Sequence, residues 1–231
     1  KGLEVPIFPS FTPDLEKLDE EGIRFDVNQI YANGFTSIMA APEACGMTFE
    51  ERKQFVQIVC DEAKGKMHSS VSVMQDTVEQ DIEMLRHIEK VGGTHATLAH
   101  PVQYYPRSEE DIFQMYTFMC ASTNLAITFY PGRLHTWHFH PSYFPPDVMR
   151  RISDIPNVVA MKVTGGSSIA LTIQAFQLCG DRILVSDPMP DRWFFTIPKY
   201  GQQWAGAGPF YCMQTPENPR IVRIFDNLIK G

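Results

Sequence analysis

Eight short apolar runs alternate with eight stretches of helical period along this chain, and that alternation restricts the fold more than any other feature. The runs are Leu3 to Phe11, Phe35 to Ala41, Met67 to Met74, Thr94 to Ala99, Leu125 to Tyr130, residues 157 to 164, Ile183 to Ser186 and Trp204 to Cys212. In the first helical stretch, Asp19 to Ala32, Ile23, Val27 and Ile30 share a face. Thr48-Phe49-Glu50-Glu51 announces the second as a capping box, in which Thr48 caps and Glu51 reaches back. Val78, Ile82, Leu85 and Ile88 form one stripe on the third, which ends at Gly92-Gly93. Ser108 caps the fourth, which carries Ile112, Met115, Tyr116 and Met119. A fifth lies near Pro146 to Ile155, and the sixth carries Ile169, Ile173 and Phe176. The seventh is a short helix from Asp191, and the eighth shows Ile221, Ile224, Phe225 and Leu228. Alternation of this kind implies parallel strands joined by helical crossovers. Eight such units in 231 residues match an α/β fold of the (β/α)8 TIM-barrel type, a single domain over residues 1–231. The competing open, doubly wound sheet would carry a glycine-rich phosphate turn after its first strand. Pro9-Ser10-Phe11-Thr12-Pro13 stands there instead, and no P-loop or GxGxxG occurs anywhere.

Charge and composition narrow the partners. The chain has 20 basic against 27 acidic residues, a net charge of -7, and no basic run, which argues against nucleic acid or an anionic membrane surface. No apolar stretch approaches the roughly 20 residues of a membrane span. The start has no basic-then-apolar signal pattern. Cys45, Cys60, Cys120, Cys179 and Cys212 are scattered without a CxxC, which fits reduced thiols in the cytoplasm.

Within the barrel, position carries chemical meaning, because reactive residues gather at the C-terminal ends of the strands. Val158-Val159-Ala160-Met161-Lys162-Val163-Thr164-Gly165-Gly166 is a strand with one amine near its end. An ammonium taken out of water costs several kcal/mol unless it pairs or loses its proton. A lysine with pKa near 10.4 is the free amine in only about one molecule in two thousand at neutral pH. Burial beside Val159, Met161 and Tyr130 could lower that pKa by roughly three units, about 4 kcal/mol, and so create a nucleophile. A lysine pointing outward, or one paired with a buried carboxylate, is the bland alternative. Tyr130 closes the neighbouring strand, and strands lie about 4.8 Å apart, so a phenol and an amine can share one space.

Together the motifs show a family likeness. They are Pro9-Ser10-Phe11-Thr12-Pro13-Asp14, Gly34-Phe35-Thr36-Ser37-Ile38, Glu43 followed by Met47-Thr48-Phe49-Glu50-Glu51, and Pro101 to Glu110 with Tyr104-Tyr105. The strand Ile127-Thr128-Phe129-Tyr130-Pro131-Gly132-Arg133 and the lysine strand complete the set. In this order the chain resembles the dihydrodipicolinate synthase and N-acetylneuraminate lyase superfamily of Schiff-base-forming barrels. The resemblance implies a class I lyase or aldolase in which Lys162 forms an imine with a 2-oxo acid, Tyr130 passes protons, and no cofactor is needed. Thr128 is the alternative occupant of the tyrosine position, since Pro131 follows Tyr130 directly. It further implies a homotetramer or homodimer, with Tyr104 donated to a neighbour's site and Tyr105 as the fallback. Arg133 would contact a second substrate's carboxylate, and Thr164, Ala40 and Ala41 would line the substrate pocket. The family's Gly-Thr-Thr-Gly-Glu after strand two reads Met39-Ala40-Ala41-Pro42-Glu43 here, so two hydroxyls are gone and a bulkier substrate than pyruvate is expected. The family also adds a helical segment after the barrel, whereas this sequence stops near helix eight.

His135, His138 and His140 crowd one segment with Trp137 and Phe139. They read as solvated loop residues, as a cover shaping the pocket, or as ligands of a metal-dependent barrel enzyme, with Asp187 the one obvious acidic partner. A catalytically silent ligand-binding barrel is the remaining alternative, motivated by the missing threonines. The principal expectation involves no metal.

Overall fold

The computed structural model describes residues 1–42, 46–101, 104–131, 144–163, 168–206 and 208–231. Eight strands and eight helices alternate: β1 (Gly2–Ile7), α1 (Glu20–Ala32), β2 (Ser37–Ala40), α2 (Phe49–Ala63), β3 (His68–Val73), α3 (Val78–Val91), β4 (His95–Leu98), α4 (Glu109–Ala121), β5 (Ala126–Phe129), α5 (Pro146–Ile152), β6 (Val158–Lys162), α6 (Ile169–Cys179), β7 (Leu184–Ser186), α7 (Pro190–Tyr200), β8 (Trp204–Gly206) and α8 (Arg220–Lys230). All pairings are parallel, in the order β7-β6-β5-β4-β3-β2-β1-β8. The result is a (β/α)8 barrel, as the alternation predicts. Where β7 meets β8, a single side chain links the strands in this contact: Gly206 donates its N–H to Ser186 Oγ at 3.2 Å. No described helix is long and apolar enough to cross a membrane.

The local signals act as their chemistry requires. Thr48 accepts from the Glu51 N–H while Glu51 reaches back to the Thr48 N–H, so two orphan donors of α2 are satisfied together. Gly92 ends α3 at φ 82°, a left-handed cap that costs glycine nothing. Two runs are shorter strands than their apolarity suggests. β1 stops at Ile7 because Pro9, lacking an N–H, cannot extend the ladder. β8 stops at Gly206, and Pro209 instead opens a 3-10 turn over Phe210–Met213.

The apolar core lies between barrel and helices. Val5, Ile7, Ile38, Val71, Leu98, Phe129 and Met161 are buried there with helix residues such as Ile23, Val27, Phe55, Leu85 and Phe176. Many polar residues on the strands are buried too, among them Glu4, Ser70, Ser72, Thr97, Thr128 and Ser186. Barrels of this type usually fill their interior with branched aliphatic side chains, so this composition is unusual.

Candidate active site

Lys162 is the last residue of β6 and is half-buried. Its Nζ stands 5.4 Å from the centroid of the Tyr130 ring. Tyr130 immediately follows β5, and its N–H donates to the Leu98 carbonyl at 2.9 Å, which anchors it to β4 as well. β5 and β6 pair with a register shift between Ile127 and Thr128, after which Thr128 faces Ala160 and Phe129 faces Met161. That pairing carries Tyr130 and Lys162 together to the C-terminal mouth. Thr128 lies deeper, buried and lining the opposite, N-terminal mouth with Ala160. Gly206 makes room for the lysine stem, since a Cβ there would stand 3.1 Å from Lys162 Cδ and 3.3 Å from Cε.

The interior also holds a carboxylate that the apolar pattern of β1 conceals. Glu4 is 2% exposed. Its Oε2 accepts from Ser37 Oγ at 2.8 Å and Ser70 Oγ at 3.0 Å, and lies 3.0 Å from His95 Nε2. Burial alone would raise this carboxyl, but the hydrogen bond and charge of His95, the charge of Lys162 and the Ser37 donor outweigh it and hold the pKa down at about 2. The sequence signal was a charge at an alternate position of an apolar strand, followed by serines at matching alternation in His68-Ser69-Ser70-Val71-Ser72.

Asp187, just past β7, serves the scaffold. Fully buried, it receives Thr172 Oγ1 and the Arg192 guanidinium on Oδ2, the latter at 3.1 Å, and the Met189 N–H on Oδ1 at 2.9 Å. Its carbonyl accepts from Trp193 Nε1 and Gln202 Nε2, both at 3.0 Å. Both carboxylate oxygens are therefore engaged in tying β7 to α6 and α7. Asp187→Ala should destabilise the protein by about 1 to 3 kcal/mol, because it takes the acceptor away from the buried Thr172 hydroxyl and the Met189 N–H. Urea unfolding of the two proteins checks this, and a loss below about 1 kcal/mol would show the network to be dispensable.

The other expected site residues divide. Ala40 and Ala41 are buried at the end of β2, and the Ala41 N–H is engaged by the Ile7 carbonyl at 3.2 Å. Tyr104 is half-buried, and its hydroxyl donates to the Asp111 carbonyl at 3.0 Å, in a cleft with Arg107, Gln114 and Phe118. Burial, with the Asp111 charge, pushes its pKa up. Tyr105 is 69% exposed. Arg133, Thr164, Glu43, His135, His138, His140, Trp137 and Phe139 lie outside the described residues. Among the described residues, no group of three His, Cys, Asp or Glu side chains is placed to hold a metal ion.

A model of the Dihydrodipicolinate synthetase family matches residues 8–201. The 4-hydroxy-tetrahydrodipicolinate synthase of Methanothrix thermoacetophila is 31% identical over 174 residues, which cover 70% of this chain and 54% of that protein. The enzyme of the same name from Chloroherpeton thalassium is 29% identical over 176 residues, 74% of this chain and 56% of the relative. The chain thus spans about half the length of the curated relatives it matches. Among solved structures, N-acetylneuraminate lyase from Fusobacterium nucleatum superposes with a TM-score of 0.83 at 16% identity, over 100% of this chain and 76% of the other. At that identity the likeness concerns the fold.

Proposed function

The chain belongs to the dihydrodipicolinate synthetase family, and on that premise we propose that it is a class I, Schiff-base-forming lyase or aldolase acting on a 2-oxo acid through Lys162. The observation that carries the reading is the Lys162 amine at the end of β6, facing the Tyr130 ring at 5.4 Å. The free amine attacks the C2 carbonyl, Tyr130 moves the protons of the carbinolamine, and loss of water leaves a cationic imine. That cation draws electrons from the adjacent bond, so a carbon–carbon bond is made or broken beside it, or water is added or eliminated. Incubation with a panel of 2-oxo acids and borohydride, followed by intact mass and peptide mapping, tests it. An adduct on Lys162 is expected. An adduct on another lysine, or none with any carbonyl compound, would sink the proposal.

The substrate we propose is bulkier than pyruvate. Two threonine hydroxyls are replaced by alanines at positions 40 and 41, and the Ala41 N–H already serves the Ile7 carbonyl. Each lost contact to a small carboxylate is worth about 0.5 to 1.5 kcal/mol, so affinity for pyruvate should fall tenfold or more. A larger acyl or aryl group would recover about 25 cal/mol per Å² of apolar area buried against this surface. Steady-state kinetics should give a higher kcat/KM for an arylated 2-oxo acid than for pyruvate, and the reverse order would refute the claim.

The active form we propose is a cytoplasmic homotetramer or homodimer in which a tyrosine of the β4–α4 connection reaches a neighbour's site. Because the Tyr104 hydroxyl is held by Asp111, the exposed Tyr105 is the better placed of the pair for that role. Sedimentation at micromolar concentration should show no dominant monomer, and a fully active monomer would remove both tyrosines from the mechanism.

A further inference from the structure

We propose that Glu4 is a positioning residue for Lys162: the fixed counter-ion that keeps its ammonium, and after condensation its iminium, in the cationic form. The inference deepens the imine reading above and rests on it.

The two side chains approach the same point of the barrel from different strands. Glu4 pairs with Gly206 across β1 and β8, and the stem of Lys162 lies against that same Gly206. Both residues thus neighbour Gly206, which has no side chain of its own, and the charge of Lys162 acts on the Glu4 carboxylate. Three groups hold Glu4 through one oxygen, Oε2: Ser37, Ser70 and His95. Oε1 is buried and has no hydrogen-bond partner among the described residues. A charge this deep needs compensation. The barrel supplies it with the imidazole on one side and the amine on the other.

The charge balance of the reaction gives the arrangement its use. The ammonium and a ketone yield an iminium and water, so one positive charge resides on the same nitrogen before and after. A fixed anion stabilises both ends of that conversion and disfavours the neutral amine and the neutral imine. It therefore opposes the depression of the Lys162 pKa that burial alone would cause, and it keeps the imine protonated, the form that withdraws electrons. Deprotonation for attack then falls to Tyr130 once substrate is present.

The other groups facing this centre set its pH dependence. His95 from β4 pairs with Glu4 and touches Thr94 Oγ1 at 2.9 Å through Nδ1. Tyr130 faces the amine from β5. A cavity of about 1020 Å³ opens the N-terminal mouth to solvent beside Glu4 and His95, with His68, Lys66 and Lys1 also lining it.

Glu4→Gln tests the proposal, since it keeps the shape and the acceptor for Ser37 and Ser70 but removes the charge. The probe is pyruvate with cyanoborohydride, and the readout is the rate of adduct formation on Lys162 between about pH 5 and pH 9. The acid limb of that profile, set by loss of the ammonium proton, should move down by about one pH unit or more in Glu4→Gln. Glu4→Asp, which keeps the charge, should stay near the wild-type limb. An adduct that forms in Glu4→Gln with an unmoved limb overturns the counter-ion role alone. No adduct in the wild-type chain with pyruvate or with any other 2-oxo acid of the panel overturns the imine reading and this inference with it. A measurement on the wild-type protein stands beside the variant in case the latter does not fold. With 15N-lysine labelling, the Lys162 nitrogen should resonate as an ammonium up to about pH 8 or above. A neutral amine at neutral pH overturns the proposal.

Discussion

Lys162→Ala is expected to reduce turnover of any 2-oxo acid substrate to background, a loss of about 10⁴-fold or more, because it removes the atom on which the proposed covalent intermediate is built. The fold should survive. Glu4 keeps Ser37, Ser70 and His95 as partners, and the stem removed is a half-buried one lying over Gly206. Lys162→Arg sharpens the test. It keeps a positive charge above Gly206 but carries a guanidinium that does not lose its proton in the working pH range, so it should be as inactive as the alanine variant. Turnover, cyanoborohydride trapping and the thermal midpoint, measured together, decide the matter. Residual activity above a hundredth of wild type in either variant would mean that the amine is not the nucleophile.

Tyr130→Phe carries the second largest expected effect, a loss of roughly 10²- to 10⁴-fold in kcat, the range a general acid–base group supplies. The phenyl ring should stay in place, since its backbone N–H remains tied to the Leu98 carbonyl and its face still lies 5.4 Å from the Lys162 amine. What disappears is the hydroxyl, and with it the proton transfers proposed for the carbinolamine. Thr128→Val is the companion variant. Thr128 lies two residues down the strand, towards the N-terminal mouth, and its loss should leave kcat within a few-fold of wild type. If Tyr130→Phe is fully active and Thr128→Val is not, the proton-handling position has been assigned to the wrong residue.

The barrel and the lysine–tyrosine pair were legible because each rests on short-range patterns. Helical stripes such as Val78, Leu85 and Ile88 alternate with strand runs, and the capping box at Thr48 and Glu51 marks where one gives way to the other. Lys162 and Tyr130 sit at adjacent strand ends, where strand spacing alone brings them close. Glu4 was not legible in the same way. Its partners Ser37, Ser70 and His95 come from three other strands, and only the register fixed by Glu4↔Ser37 and Ser70↔His95 shows that they converge. Asp187 shows the converse. Its place after a barrel strand makes it look like a ligand, yet Thr172, Met189 and Arg192 take up its oxygens for the scaffold. Gly206 gave no signal beyond being a glycine, because what it accommodates is a side chain 44 positions earlier in the chain (206 − 162).

The strand order has a kinetic consequence. From β1 to β7 every strand pairs with its successor in sequence, so those ladders can form while the chain explores only neighbouring segments. The pairing of Gly2 with Trp204 is different: it joins segments 202 positions apart (204 − 2) and must overcome the closure entropy of that long loop. Gly206, which Lys162 lies against and which partners Glu4, arrives only with that last strand. A partly folded chain can therefore hold six or seven strands in register while its amine still faces solvent. On the proposed mechanism, the recovery of imine-forming capacity during refolding is a clock for this most non-local of the strand pairings.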